Sequence, residues 1–244
     1  RRIGVAKSEN NVELALLESC LRENLEVNAP RAMAVLDPLK VIITNFSEDQ
    51  VETLKVANHP KNEAMGERSV PFTRELYIDR EDFRLEANRK YKRLVLGGEV
   101  RLRGGYVIRA DDVKVDSMGK ISELHCSYDP ETLGVNPPDR KVRGVIHWVS
   151  SINAAGVIFR RFQPLFSVEY PDASDAEYTD LINPDSMLEF SGFLENWLLE
   201  TQPGNQYQFE RVGYFTRDSE QQADNVPVFN EVVGLRDSWA KING

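Results

Sequence analysis

Apolar residues in the first thirty positions recur at the spacing of an α-helix. Four leucines lie three or four positions apart, which places them on one face of a helix. They are Leu14, Leu17, Leu21 and Leu25. Asn10 and Glu13 have the spacing of a capping box at a helix start, and Pro30 interrupts the pattern. The pattern predicts a packing helix over residues 9–25.

Short runs rich in β-branched and aromatic residues dominate the chain from Met33 onward, with glycine and proline between them. Many short strands separated by turns are typical of a β-sandwich or a barrel. The predicted strands cover residues 75–78, 94–96, 99–103, 106–115, 120–128, 142–149, 156–162, 206–210, 212–217 and 227–235. A further run at 33–46 contains Pro38, as at a sheet edge. Residues 179–199 show only a weak helical pattern, because Pro184 lies inside them, and the run SGFLENWLLE could be a strand or a helix.

The number of predicted strands favours two small barrels over one large one. The predicted fold is mainly β, with a short N-terminal helical segment followed by two small β-barrels. We expect residues 1–32 to form a helical connecting segment, 33–150 the first barrel and 151–244 the second. The pattern leaves open whether the last strand returns to the first barrel.

The composition is that of an ordinary globular protein. Of 244 residues, 41% are hydrophobic and 28% are charged, and the formal net charge is −9. No apolar run approaches about 18 residues, which excludes a transmembrane helix. Cys20 and Cys126 are too few and too far apart for a disulfide framework, so we expect a reducing compartment. The three histidines are scattered, and no metal site is expected. Because the first residue is Arg1 and not Met, we expect a fragment of a larger protein.

The charge is unevenly distributed along the chain, which changes the meaning of the net value. Residues 80–109 contain nine basic and four acidic side chains, whereas residues 162–210 contain ten acids and no lysine or arginine. An acidic protein with a local basic patch is suited to attract one specific polyanion and to repel non-specific nucleic acid.

The basic segment has the composition of a site for single-stranded RNA. It reads NRKYKRLVLGGEVRLRGG over residues 88–105. Arg101 and Arg103 project from the same face if they lie on a strand, and Tyr91 lies among four cations. Unstacked RNA bases stack on aromatic rings, and arginine reads their edges. A solvated charged face and a site for another anion remain as alternatives.

No enzymatic motif is present in the sequence. We find no G-x-S-x-G, no glycine-rich phosphate loop and no H-E-x-x-H. Asp111 and Asp112 are adjacent in a polar context that favours solvated carboxylates. His147 lies in the apolar run GVIHWV and is expected in the core.

Eight collinear segments, spread over most of the chain, carry a specific resemblance to one family. They read NAPRAMAVLDPLKV, NHPKNEAMGERSVPFTRELYIDREDF, NRKYKRLVLGGEVRLRGGYVI, RKVRGVIHWVS, LFSVEYP, LINPDS, QYQFERVGYF and PVFNEVVGLRDSWAK. In these segments the chain resembles the C-terminal part of the glutaminyl-tRNA synthetases of the bacterial type. The resemblance implies a short helical segment followed by two small antiparallel β-barrels that hold a tRNA anticodon. Each barrel is expected to be similar to that of the ribosomal proteins that hold 5S rRNA.

The same resemblance implies roles for seven residues. Arg31, Gln208 and Arg211 match family residues at the middle anticodon base. Arg93 matches the arginine at the third base, and Lys92 matches a neighbouring contact. Arg101 and Arg103 match the pair around the first base. Lys61 and Lys90 stand where some relatives are expected to have neutral residues, and no base contact is carried over to them.

For the whole parent protein, the resemblance implies a class I glutamine–tRNA ligase that uses ATP and magnesium. The HIGH-like and KMSKS-like motifs of its catalytic domain are not found in this sequence. We therefore expect no ATP, glutamine or magnesium site here, and an inactive piece when alone. Expected partners are the glutamine tRNA and an upstream catalytic domain, which anticodon recognition would influence allosterically. A cytoplasmic monomer without a membrane contact is expected.

Three other functions remain open at this point. A glutamyl-tRNA synthetase of the archaeal or eukaryotic kind shares the paired barrels, although YKRLVLGGEVRLR and QFERVGYF favour the glutamine enzyme. A non-catalytic barrel protein that binds rRNA would be shorter. A β-domain that binds other proteins would leave the basic segment unexplained.

Overall fold

The computed structural model describes residues 14–168, 170–219 and 226–235. The helix α1 spans Leu14–Asn28 and ends two residues before Pro30. Its predicted capping box at Asn10 and Glu13 lies outside the described residues. Leu25 is buried, whereas Leu14 and Leu17 are exposed. The helix therefore packs through its last turns.

The rest of the described chain is mainly β, which confirms the predicted fold class. The strands are β1 Arg31–Ala32, β2 Ala34–Val35, β3 Pro38–Ile43, β4 Glu52–Ala57, β5 Glu67–Phe72, β6 Glu75–Asp79, β7 Phe83–Arg84, β8 Leu94–Val95, β9 Glu99–Leu102, β10 Val107–Val115, β11 Ile121–Asp129, β12 Val145–Ile146, β13 Val149–Ser150, β14 Ala154–Phe162, β15 Met187–Glu195, β16 Gln206–Phe209, β17 Gly213–Arg217 and β18 Val228–Gly234. Short 3-10 turns cover Glu63–Met65, Arg80–Asp82, Pro130–Thr132, Ser151–Asn153, Pro171–Ala173, Tyr178–Leu181 and Asn196–Glu200.

Two seven-stranded sheets share one topology. The first sheet has the order β12-β9-β10-β11-β3-β6-β13, and the second has the order β1-β16-β17-β18-β14-β15-β2. Read in these orders, both sheets show the same succession of one parallel pairing, two antiparallel, one parallel and two antiparallel. The sheets are therefore mixed, although antiparallel barrels were predicted.

Each sheet is closed by one short segment of chain. Residues 31–35 supply both end strands of the second sheet, and residues 145–150 supply both end strands of the first. Because consecutive Cα atoms lie about 3.8 Å apart, the two ends of each sheet must lie side by side. The sheets therefore curl into barrels, which removes exposed strand edges. We call these two stretches the closing segments.

The closing segments interleave the two barrels along the chain. The closing segment 31–35 precedes all strands of the first sheet, yet it pairs with β15 and β16 of the second. This differs from the predicted division at residues 32 and 33. The last described strand, β18, pairs with β14 and β17. It thus lies in the second sheet, and this pairing does not return it to the first.

Two parts of the sequence gave a misleading pattern. Residues 187–195 form the strand β15, where the sequence showed only a weak helical pattern over 179–199 and left SGFLENWLLE open between strand and helix. The hairpin of β4 and β5 was not predicted, because its sequences ETLKVA and ERSVPF carry charges and a proline. Alternate residues of β4 are nevertheless buried, as expected for a strand with one solvated face.

The two barrels have separate cores that meet at a junction. Trp148 is fully buried in the first core, where its ring packs edge-on against Phe72 at 5.7 Å. Phe209 and Phe215 stack at 4.9 Å in the second core. Tyr77 of β6 contacts Phe193 of β15 across the junction. Leu25 and Ala29 attach α1 to Tyr214 and Val233 of the second sheet. The helix therefore belongs, by packing, to the second barrel.

Candidate nucleic-acid interface

Three carboxylates are buried in the described part of the chain, and all three lie at the junction of the barrels. They are Asp79, Asp82 and Glu195. A buried carboxylate requires hydrogen bonds or a paired cation to offset the loss of hydration. Their partners therefore define how the junction is built.

Asp79 ties the two closing segments together. Its carboxylate accepts hydrogen bonds from the backbone amides of Leu36 and Asp37, at 2.8 and 3.0 Å, directly after the closing segment 31–35. It also contacts Nε2 of His147, in the other closing segment, at 2.7 Å. Burial raises the pKa of Asp79, but the bonds from His147 and the two amides outweigh it and hold the pKa below its ordinary value.

Glu195 joins the second sheet to the β4–β5 hairpin. Its carboxylate accepts a hydrogen bond from the Met33 amide at 2.7 Å and pairs with Nε of Arg68 at 2.8 Å. The Glu195 side chain is 1% exposed and that of Arg68 is 9% exposed. This carboxylate therefore fixes the middle of the closing segment 31–35.

Asp82 binds one arginine from each barrel. Arg211 donates both terminal nitrogens to its carboxylate at 2.6 and 2.7 Å, and Nε of Arg93 lies 3.1 Å from Oδ1. Arg211 follows β16, and Arg93 precedes β8. The Asp82 side chain is completely buried. Two of the predicted RNA contacts are thus brought together on one carboxylate.

Arg211 has a backbone conformation that residues other than glycine rarely adopt. Its φ angle is +67° in the turn between β16 and β17, and it alone among the described non-glycine residues has a positive φ. This conformation is costly and persists only where other contacts hold it. The paired bond to Asp82, and a contact of 3.4 Å with Nδ1 of His147, provide that hold. Burial lowers the pKa of Arg211, but Asp82 more than offsets this and raises it above its ordinary value.

Arg31 and Gln208 face each other on paired strands. Their Cα atoms are partners in the register of β1 and β16. The Arg31 guanidinium pairs with the Glu26 carboxylate at 2.9 Å and donates to the Glu26 and Ala29 carbonyls. Oε1 of Gln208 is buried and has no hydrogen-bond partner among the described residues. An unpaired buried acceptor beside a guanidinium is an arrangement that a ligand donor would complete.

Glu26 keeps the charge that Arg31 requires. Burial raises the pKa of Glu26, but the Tyr214 hydroxyl and the Arg31 guanidinium lower it by more than burial raises it. The net pKa therefore lies below the ordinary value. Tyr214 donates to the same carboxylate at 2.9 Å, which links the end of α1 to Arg31 and to the second sheet.

An open basic groove lies beside Arg93 on the first barrel. Its volume is about 520 Å³. It is lined by Ala87, Asn88, Arg89, Tyr91, Lys92, Arg93, Val95, Glu99, Lys141, Val142 and Arg143. Five of these side chains are cations, and the one carboxylate, Glu99, is paired with Arg140 at 2.8 Å. The side chains of Arg89, Lys141 and Arg143 make no hydrogen bond or ion pair within the described ranges. They are therefore available to an anion.

Tyr91 lines the groove with its ring held at both ends. Its hydroxyl donates to the Glu81 carbonyl at 2.9 Å, and the Arg84 guanidinium lies 4.6 Å from the ring centre. Burial, and then the nearby Asp82 charge, raise the pKa of Tyr91 to about 12. The phenol therefore stays neutral and can donate hydrogen bonds at physiological pH.

Lys92, Arg101 and Arg103 already use part of their hydrogen-bonding capacity within the protein. Lys92 donates to the Arg89 carbonyl. Arg103 pairs with Glu210 at 3.2 Å, and its Nε is buried without a partner in the described part of the chain.

Arg101 holds a loop of the first barrel in place. It donates to the carbonyls of Gly105 at 3.1 Å and Thr132 at 2.6 Å, and also to that of Val135. An RNA contact by this guanidinium would have to replace some of these bonds. Within the part of the chain that the structure describes, the Arg101 side chain makes no contact with Asp82, Arg93 or Arg211.

Two family models match successive parts of the chain that do not overlap. The model described as "tRNA synthetases class I (E and Q), anti-codon binding domain" matches residues 29–129, and a second model with the same description matches residues 145–218. The chain belongs to this family. Each matched stretch contains the closing segment of the other barrel, so the two matched regions of this chain are interleaved in space.

Three relatives that match almost the whole chain carry the same name. The chain is 56% identical over 244 residues to "Glutamine--tRNA ligase" of Vibrio cholerae serotype O1, which covers 100% of this chain. It is 57% identical to the protein of the same name from Psychromonas ingrahamii, over 98% of the chain, and 55% identical to that from Photobacterium profundum, over 99%. The chain spans 43–44% of the length of these relatives.

The sequence analysis did not identify two basic side chains of the groove as RNA contacts. Lys141 and Arg143 stand about fifty residues after Arg93 in the chain, yet they line the same groove. The signal was the run RKVR at 140–143, just before β12. Folding of the closing segment 145–150 against β9 brings this run to the groove.

Residues 14–168, 170–219 and 226–235 contain no group of three or more His, Cys, Asp or Glu side chains that could hold a metal ion. Their helices include none that is long and apolar enough to cross a membrane. Cys126 is buried and Cys20 is partly buried, both as free thiols.

Proposed function

We propose that this chain binds the anticodon loop of a glutamine-accepting tRNA. The observation that carries the proposal is the convergence of candidate RNA contacts from both barrels at one junction. Arg31 lies opposite Gln208, and Arg93 and Arg211 share Asp82. The names of the relatives support glutamine as the amino acid.

The side chains at the junction match the chemistry of splayed RNA bases. Guanidinium and amide groups form planar sets of hydrogen bonds with base edges, whereas exposed cations neutralise phosphates. Arg31, Gln208, Arg93 and Arg211 supply the first kind of contact. The cations of the basic groove supply the second. In this proposal Lys92, Arg101 and Arg103 add contacts toward the remaining loop positions.

We assign the ligase reaction to a longer parent protein. In that parent, glutamine would be joined to its tRNA with ATP and magnesium, and a catalytic part of the same chain would be the partner of the helix α1. The described residues offer no donor set for magnesium, and we assign neither ATP nor magnesium to any of them. We further propose a cytoplasmic, monomeric enzyme.

The proposal is tested by binding of an RNA stem-loop that carries a glutamine anticodon. Arg93→Ala should weaken binding by about 1–3 kcal/mol, the range for a base-reading arginine. Arg109→Ala is the matched control, because Arg109 belongs to the same basic segment but is exposed on β10 and pairs with Asp111. An equal loss with a scrambled anticodon would show that Arg93 contacts only the RNA backbone.

The groove cations provide a second test of the same proposal. Lys141→Ala and Arg143→Ala should weaken all stem-loops to a similar extent and should reduce the salt dependence of binding, because phosphate contacts release counterions. Affinity that does not change with salt would overturn the electrostatic part of the proposal. Preferred binding of a stem-loop with a glutamate anticodon would favour the glutamate enzyme.

A further inference from the structure

Two arginines from different barrels meet on one buried carboxylate at the centre of the proposed RNA interface. Asp82 lies in the 3-10 turn Arg80–Asp82 of the first barrel, and its side chain is completely buried. Oδ1 receives Arg93 and one nitrogen of Arg211, and Oδ2 receives the other nitrogen of Arg211. The two guanidiniums therefore share an acceptor atom.

The positions of Arg93 and Arg211 both depend on Asp82. A buried carboxylate that loses its cations is strongly unfavourable, so Asp82 must keep at least one guanidinium. Arg93 has a second acceptor, because it also pairs with the exposed Glu81 at 2.9 Å. Arg211 has no second carboxylate partner among the described residues, and its bonds to Asp82 help to hold its positive φ angle.

We propose that Asp82 is a positioning residue that couples the RNA contacts of Arg93 and Arg211. The inference rests on the proposed anticodon binding. Asp82 orients both guanidiniums toward the loop in the native protein. When one arginine is removed, Asp82 binds the other alone and withdraws it from RNA. Removal of the second arginine then costs less affinity than it does in the native chain.

A double-mutant cycle on RNA binding measures this coupling. The probe is the stem-loop with a glutamine anticodon, titrated against the whole chain and the variants Arg93→Ala, Arg211→Ala and both together. The combined loss of affinity should be at least about fivefold smaller than the product of the single losses, since contacting residues couple to this extent. When the same cycle is measured with Asp82→Asn in every variant, the loss of affinity in the double arginine variant should equal the product of the two single losses to within about twofold.

A second cycle serves as the matched control. Arg101 lies in the same barrel as Arg93 and is also a predicted RNA contact, but its guanidinium donates to backbone carbonyls and not to Asp82. Arg101→Ala and Arg211→Ala should therefore give losses that multiply. Coupling of similar size in this control would overturn the role of Asp82.

A second version of the cycle, with lysine in place of alanine, distinguishes a loss of folding from a loss of coupling. Lysine at positions 93 and 211 keeps a cation beside Asp82, so the Arg93→Lys and Arg211→Lys cycle replaces the alanine cycle where the double variant fails to fold. If each single variant loses RNA affinity and the double variant loses the product of the two, the coupling through Asp82 is overturned. The proposed anticodon binding would then still stand. Unchanged affinity in every single variant would overturn the proposed anticodon binding.

Discussion

The two closing segments perform the same structural task with different chemistry. In the second barrel, the closing strand β1 also carries Arg31, which faces Gln208. In the first barrel, the closing segment 145–150 carries His147, whose ring is buried and bound to Asp79. Closure and proposed RNA contact are thus combined in one strand of the second barrel. In the first barrel they are separate, because the basic groove lies beside the closing segment and not within it.

The same contrast applies to charge. The segment 80–109 has a large excess of cations, but several of them serve the fold. Arg80 and Arg101 donate to backbone carbonyls, and Arg84 lies over Tyr91. The cations that lack partners in the described ranges include Lys141 and Arg143, which lie outside that segment. A local charge count therefore locates the RNA surface only approximately.

The largest expected effect concerns Glu195, the carboxylate that fixes the closing segment 31–35. Glu195→Ala should lower the free energy of unfolding by about 3–5 kcal/mol, because it leaves the buried Arg68 guanidinium without its counterion and the Met33 amide without its acceptor. Denaturation in urea, followed by tryptophan fluorescence, measures the change.

Glu189→Ala is the matched control for Glu195→Ala. Glu189 lies on the same strand, but its side chain is 42% exposed and pairs with Arg160, and exposed pairs contribute only about 0–1 kcal/mol. Losses of equal size in the two variants would contradict the view that Glu195 stabilises the closure of the barrel.

A smaller effect is expected from the glycine that allows the closing segment to approach. A Cβ atom at Gly192 would meet the Val35 carbonyl of β2 and would lie 2.9 Å from the Phe159 ring. Gly192→Ala should therefore destabilise the second barrel by about 1–3 kcal/mol, the usual cost of overpacking. Gly156→Ala on the neighbouring strand β14 should cost less than about 1 kcal/mol, since its Cβ would meet only the Phe193 ring at 3.9 Å. The opposite ranking in thermal unfolding would contradict the close approach.

Much of the strand content could be predicted from the sequence, whereas the closure of the barrels could not. Strands such as β10 and β11 have runs of nine residues with clear patterns. The strands β1, β2, β12 and β13 have two residues each, which is too short for any periodicity to be detected. Their positions depend on pairing with distant strands, and this pairing also explains why the predicted boundary at residue 33 differs from the sheets.

The candidate site could be predicted in its residue types but not in its connections. Arg93 and Arg211 were identified through family resemblance, and their roles at the bases stay predictions. Asp82 was counted only as one acid that reduces the charge of a basic segment. Nothing in the local sequence indicates that it is buried, because its burial depends on two arginines, one of them 129 positions away.

The smallest expected effect tests whether Asp79 joins the two closing segments through its charge. The pKa of Asp79 lies below 3.8, because the bonds from His147 and two amides outweigh the effect of burial. A carboxyl whose pKa is lower in the folded chain stabilises the fold above its unfolded pKa. This stabilisation is lost as the pH falls through the folded pKa. Asp79→Asn keeps an acceptor oxygen but does not titrate. The difference in unfolding free energy between the native chain and Asp79→Asn should shrink as the pH falls below 3.8. A difference that does not change with pH in urea unfolding would show that the amide bonds, and not the charge, hold the two barrels together at this point.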